Sequence, residues 1–201
     1  MKHYGIDFNE VRVALFEKDT KQNLSSYNSD YKVPVLQDDE LLIWDSLSIM
    51  EYLSEKYLDH GAWPDDQAAR AMARSMSNEM HSSYSNIRKE LPMNCRKSFT
   101  SVVPSEDAQS EIKRVAHLWN QARTLYGDSG EWLFGGYSIA DAMFAPLALR
   151  FHGYNIELDT ACKAYINSTL SHPGIVEWVE AGKLETEVIL EDEVYSDLTR
   201  Q

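Results

Sequence analysis

The chain has 201 residues, 43% of them hydrophobic, with 19 Lys+Arg against 32 Asp+Glu and a net charge of −13. A chain of this size buries roughly 70% of its unfolded surface, enough for one large domain or two small ones without disulfide staples. The acidic balance argues against nucleic acid or an anionic membrane as a partner, since phosphate backbones are held by clustered Lys and Arg, and the apolar and aromatic content excludes an intrinsically disordered chain.

Only two cysteines occur, Cys95 and Cys162, without CxxC spacing, which points to a reducing compartment. The longest apolar runs, such as Met143 to Leu149, are too short to span a bilayer, and the N-terminus lacks the apolar core of a signal peptide. The expectation is a soluble, cytoplasmic protein.

In chain order, Lys2-His3-Tyr4-Gly5 reads as the last turn of a helix closed by Gly5 at C′. Residues 8–16 alternate around Val11, Val13 and Leu15 and predict a strand. Lys21 to Asp30 is polar and reads as a loop or a short irregular helix. Lys32-Val33-Pro34-Val35-Leu36 predicts a short strand, Gln37 to Glu40 a turn, and Leu41-Leu42-Ile43-Trp44 the returning strand of a hairpin. Pro34 cannot donate to a ladder, so spacing alone makes it an edge, bulge or cis-turn proline. Asp45-Ser46 then opens a helix with Leu47, Ile49, Met50, Leu53 and Tyr57 at helical spacing, Ser46 being the expected cap.

After Trp63-Pro64 the strand signals stop, placing a domain boundary near residues 59–65. One long helix is predicted from Asp65 to about residue 90, with Ala69, Met72, Ala73, Met76, Met80 and Ile87 on one face and Pro92 ending it. A second runs over 105–126 with Ser105 as its cap. Ser138-Ile139-Ala140-Asp141 has capping-box spacing, and the helix behind it, Ala142 to His152, is apolar nearly all round and therefore central. Thr160 is expected to cap a helix through Leu170. A last amphipathic helix follows His172-Pro173-Gly174, and an acidic tail begins at Glu185.

Taken together, the Val33-Pro34 strand, Trp44-Asp45-Ser46-Leu47-Ser48-Ile49, Glu51-Tyr52-Leu53 and the Ser138-x-x-Asp141 box resemble the cytosolic glutathione S-transferase family, bacterial type, over nearly the whole chain. The resemblance implies an α/β thioredoxin-like, glutathione-binding domain over residues 1–60 and an all-helical domain over 65–201. It also implies a cis Pro34, with the Val33 backbone holding the cysteinyl part of glutathione. Asp45 and Ser46 would take the γ-glutamyl end, and Lys32, more loosely, the glycyl carboxylate. The hydroxyl and amide of Ser46 at a helix N-terminus suit a carboxylate; the alternative is an ordinary helix cap. Met93, Asn94 and Arg96 would wall the substrate cleft, unless they form a plain surface turn after Pro92. Ser138 and Asp141 are structural, and no metal is implied.

The family's thiol-activating residue lies after a first strand, at the start of the first helix, and no such strand precedes Lys2. Tyr4 sits at the wrong end of that helix, so no catalytic residue is assigned. The expectation is that about 20 residues are missing ahead of Met1. A donated strand or direct pairing of the strand at 8–16 are the alternatives. Two functions follow: conjugation of glutathione to small electrophiles, or their isomerisation, by a homodimer; or a non-catalytic module of the same fold. A metal or nucleophile enzyme finds little support, because His3, His60, His81, His117, His152 and His172 are scattered without ligand spacing. Gly135-Gly136 is a turn and not a phosphate loop.

Overall fold

The computed structural model describes residues 1–27, 30–189 and 192–194. The chain divides into two compact units, Met1–Ala62 and Trp63–Gln201.

In the first unit, Lys2–Tyr4 forms a single 3-10 turn ended by Gly5 in the left-handed conformation (φ 63°), the cap that residue supplies without steric cost. Short helix α1 (Thr20–Leu24) and a further 3-10 turn (Ser25–Tyr27) follow. The sheet is a single antiparallel hairpin of β1 (Val35–Asp38) and β2 (Leu41–Trp44) in the register Val35↔Trp44 to Asp38↔Leu41. Helix α2 (Ser46–Tyr57) packs on it. Asp38 ties the pieces together, its Oδ2 accepting from Tyr52 Oη at 2.8 Å, Tyr57 Oη at 3.2 Å and Lys56 Nζ.

Three expectations for this unit are corrected. Residues 8–16 form no strand, although their alternation is plain. A strand exists only as part of a pair, and no described residue forms a β-ladder with them; Phe8, Val11, Leu15 and Phe16 lie exposed. Direct re-pairing of this segment with the hairpin is therefore not what the described residues show. The cap of α2 is Asp45 and not Ser46: its Oδ1 accepts from Leu47 N at 3.0 Å and Ser48 N at 3.1 Å. Proline also sits one residue earlier than the strand, which starts at Val35.

The second unit contains six helices among the described residues: α3 (Gln67–Ser82), α4 (Ser85–Glu90), α5 (Glu106–Tyr126), α6 (Ile139–Gly153), α7 (Thr160–Ser171) and α8 (Pro173–Leu184). The long helix expected over 65–90 is broken at Ser83–Tyr84. Ser83 is extended and Tyr84 is left-handed (φ 64°), while its ring is buried and its hydroxyl donates to Glu79 Oε1 at 2.8 Å. Burying that ring and starting a second helix outweigh continuous helix geometry. Ala69, Ala73, Met76, Met80 and Ile87 are buried as their spacing requires, while Met72, expected on the same face, is only partly buried. Another cap shifts by one residue, since Asp159 and not Thr160 accepts from Cys162 N at 2.9 Å.

Helix α6 runs through the core, with Met143, Phe144, Leu147 and Phe151 buried. Trp119 of α5 is fully buried with its ring 5.9 Å from Phe144, 5.6 Å from Phe151 and 4.8 Å from Tyr165 of α7. Such aromatic clusters concentrate burial and fix the relative rotation of the helices that supply them.

Candidate functional site

The hairpin register decides what lies together at its open end. Val35 and Trp44 are paired, so the next residue outward is Pro34 on one strand and Asp45 on the other, with Val33 and Ser46 just beyond. The Val33–Pro34 peptide bond is cis. Lys32, Val33 and Pro34 are exposed, and Asp45 and Ser46 are partly exposed. Four of the five residues singled out for glutathione thus converge on one corner, and Lys32 adjoins it in sequence.

Asp45 itself has φ 77° and ψ 125°, a backbone region that costs a side-chain-bearing residue of order 1–3 kcal/mol. Its two cap bonds hold it there. They also decide which donors remain at the start of α2. Leu47 and Ser48 N–H donate to Asp45 Oδ1, and Ile49 N–H to Asp45 O at 2.9 Å. The N–H and hydroxyl of Ser46 have no hydrogen-bond partner among the described residues. An amide and a hydroxyl at the positive end of a three-turn helix form an anion-accepting pair. Trp44, half-exposed next to them, reports on the corner.

The Asp38 cluster, which the sequence reading missed, lies at the turn end of the hairpin, opposite the corner, and fixes β1 on the C-terminal half of α2. Hydrogen bonds from Lys56 and Tyr52 hold the Asp38 carboxyl below its ordinary range, and the same pairing raises Lys56. The i,i+4 spacing of Tyr52 and Lys56 was a visible signal, but nothing in the sequence pointed to Asp38 as their acceptor.

Other nominated residues lie in the helical unit. Asn94 Oδ1 closes a turn by accepting from Arg96 N at 2.9 Å and Lys97 N at 3.2 Å. Arg96 donates to Glu185 O at 2.8 Å and Glu187 O at 3.2 Å, and Met93 Sδ sits 3.8 Å from Arg150 Nη1. Ser138 and Asp141 are buried. The Asp141 carboxylate accepts from Ser138 N at 2.9 Å, Ser138 Oγ at 3.1 Å and Leu133 N at 3.1 Å. Burial nonetheless pushes its pKa up to about 6, outweighing those bonds. Neither cysteine is poised as a nucleophile: burial raises Cys95 and takes Cys162 up to about 12. Among the described residues no group of three or more His, Cys, Asp or Glu could hold a metal ion, and no helix is long and apolar enough to cross a membrane.

A hairpin entered through a cis-proline and left through a capped helix, joined to a helical unit built around a central apolar helix, defines the glutathione transferase class of fold. The family profile for the glutathione S-transferase N-terminal domain matches residues 1–56. A glutathione S-transferase of Arabidopsis thaliana is 30% identical over 190 residues, covering 90% of this chain and 71% of that protein. A probable maleylacetoacetate isomerase of Caenorhabditis elegans is 36% identical over 155 residues, 77% of this chain and 72% of its own. Among solved structures, a glutathione transferase homologue from Burkholderia with bound glutathione aligns with TM-score 0.66 at 24% identity, covering 90% of this chain and 86% of that one. A glutathione S-transferase from Anopheles dirus aligns with TM-score 0.70 at 17% identity, over 90% and 87% of the two chains. The chain belongs to the glutathione S-transferase family.

Proposed function

We propose that this protein binds glutathione at the corner between the hairpin and α2 and passes its thiolate to small electrophiles, by conjugation or by reversible addition during isomerisation. The observation that carries the reading is the Val35↔Trp44 register, which gathers Val33, Pro34, Asp45 and Ser46 at one end of the hairpin. Ser46 N–H and Oγ donate to the α-carboxylate of the γ-glutamyl group, and Asp45 receives its ammonium. The Val33 backbone pairs with the cysteinyl amide, and Lys32 approaches the glycyl carboxylate. The names of the relatives, transferase and isomerase, and the glutathione bound in the Burkholderia structure support this substrate.

The chemistry requires a thiolate, and a free thiol with a pKa of about 8.5 is mostly protonated at neutral pH. In conjugation, the thiolate sulfur attacks an electrophilic carbon and the leaving group departs with the bonding pair. No residue of this chain is assigned to thiol activation. Met93, Asn94 and Arg96 are the proposed contributors to the electrophile's surroundings. A homodimer in the cytoplasm, acting in detoxification without metal, nucleic acid or membrane, completes the reading.

The test is a glutathione titration followed by Trp44-dependent fluorescence, with Ser46→Ala as the control, alongside turnover of a chloroarene. Saturable binding, weakened about tenfold in the variant, together with turnover supports the transferase. Binding without turnover of any electrophile supports the second reading, a non-catalytic module. Absence of binding overturns both site and function.

A further inference from the structure

The helical unit carries a cationic corner that glutathione binding does not use. The chain leaving α4 lies along the C-terminal end of α6, where Arg150 Nε donates to Leu91 O at 2.9 Å and Tyr154 Oη to Pro92 O at 2.9 Å. Arg150 Nη1 donates to Pro146 O at 3.2 Å, while Nη2 has no hydrogen-bond partner among the described residues. Two residues after Pro92, Asn94 closes the turn that fixes the backbone from which Arg96 and Lys97 project. Phe99 N donates to Gly153 O at 2.7 Å, which fastens this segment to the same end of α6.

Described residues of the chain's own acidic C-terminal segment, Glu185, Glu187 and Glu193, lie on this corner. Arg96 grips the carbonyls of Glu185 and Glu187, and Lys97 Nζ pairs with Glu193 Oε2 at 3.0 Å, leaving the Glu193 side chain only 11% exposed. Burial and the neighbouring Arg88 charge pull Arg150 below its ordinary pKa, and Asp192 acts in the opposite direction. In a molecule of net charge −13, an acidic segment is repelled by most of the surface, so its docking depends on local cations. Among the described residues of the segment, the apolar side chains of Val188 and Ile189 stay 51% and 38% exposed. Exposed ion pairs hold weakly, so a segment held this way exchanges readily with a competing anion.

We propose that Arg96, Lys97 and Arg150 form a carboxylate-binding site on the helical unit, and that Glu185, Glu187 and Glu193 are its built-in occupants, displaced by small organic carboxylates. The site takes a carboxylate on its cationic groups, and binding frees the C-terminal segment from the surface.

The experiment uses the full chain and glutamyl endopeptidase, with cleavage after Glu185 and Glu187 followed by mass spectrometry at fixed ionic strength. A reporter peptide corrects for effects on the protease. Cleavage tracks the population of the undocked segment. The double variant Arg96→Ala/Lys97→Ala is expected to be cut about tenfold faster than the native protein. Benzoate or succinate should accelerate cleavage of the native protein saturably towards the variant's rate, while benzamide does not and the variant ignores all three. Glu193→Gln, which leaves the site intact, should lower the benzoate concentration giving half-maximal acceleration. Equal cleavage of native and double-variant protein, or equal effects of benzoate and benzamide, overturns the proposal. Arg96 is also among the residues proposed above to surround the electrophile, but neither readout involves glutathione or turnover, so failure of this proposal and failure of that reading are distinguishable.

Discussion

Val35 and Trp44 form the terminal pair of the hairpin, and the residues one step outside that pair are Pro34 and Asp45. The corner is thus built from two chain segments separated by the length of a hairpin, and its polar donors come from the second. Ser46 contributes its N–H and hydroxyl but does not cap α2. Ser46→Ala is therefore expected to weaken glutathione binding about tenfold, the value of one hydrogen bond to a charged acceptor. The melting temperature should stay unchanged, because the Asp45 cap is untouched. Fluorescence titration beside thermal unfolding checks both halves, and a large drop in stability would refute the division of roles.

Asp45 should behave differently, since it combines a cap with the proposed ammonium contact. Asp45→Asn keeps an oxygen acceptor for Leu47 and Ser48 N–H and is expected to leave stability within ~0.5 kcal/mol while weakening glutathione binding. Asp45→Ala should cost roughly 1 kcal/mol of stability through the lost cap. Asp45→Gly should cost only a few tenths, because glycine accepts the φ of 77° without strain. Urea unfolding of the three variants gives the order Asn, Gly, Ala from most to least stable.

Much of this corner was legible because its signals are local. Leu41 to Trp44 is a short apolar run bounded by turn residues, Asp45-Ser46 announces a helix start, and both fall where the sequence places them. Ser105 and the Ser138-x-x-Asp141 box were legible for the same reason. Residues 8–16 were misread because alternation records which residues suit a strand, while forming one depends on a partner edge elsewhere. The break at Tyr84 was invisible because Ser83-Tyr84 carries no glycine or proline; the burial of one ring, a tertiary event, sets it. Asp45 displaced Ser46 as the cap because either residue satisfies the capping rule, and only the backbone geometry decides between them.

Glu111 shows a further long-range contribution. Tyr84, the residue preceding α4, offers no side-chain cap, and a carboxylate from α5 supplies it instead. Glu111 Oε2 accepts from Ile87 N at 2.8 Å, and Oε1 from Asn86 Nδ2 at 2.8 Å and Asn86 N at 3.3 Å. A six-residue helix has little stability of its own, so this borrowed cap matters more than an ordinary one. Glu111→Ala is expected to lower stability by about 1–3 kcal/mol through the unpaired amides. Hydrogen exchange should localise the loss to α4. Exchange protection of Ile87 equal to that of the native protein would show that the cap is dispensable.

Asp141 gives the chain a pH dependence of definite sign. Its carboxyl rises from 3.8 to about 6 on folding because burial disfavours the charge. The folded state therefore binds a proton that the unfolded state has released between these values. The associated stability is fully present below pH 3.8 and is lost as pH rises through about 6, a swing of about 3 kcal/mol. His172 works in the other direction: its pKa is lowered by burial, and its Nδ1 must stay unprotonated to accept from Gly174 N at 3.2 Å. Total stability thus mixes opposing titrations, and the Asp141 contribution is isolated by difference against Asp141→Asn, which removes only that group. The variant is expected to be less stable than the native protein in acid, having lost one of the two carboxyl oxygens that accept from Ser138 and Leu133. The gap should narrow as pH rises from 4.5 to 7.5. Urea unfolding at fixed pH values across that range measures it, and a gap that widens with pH would show that the three hydrogen bonds, not desolvation, govern this carboxyl.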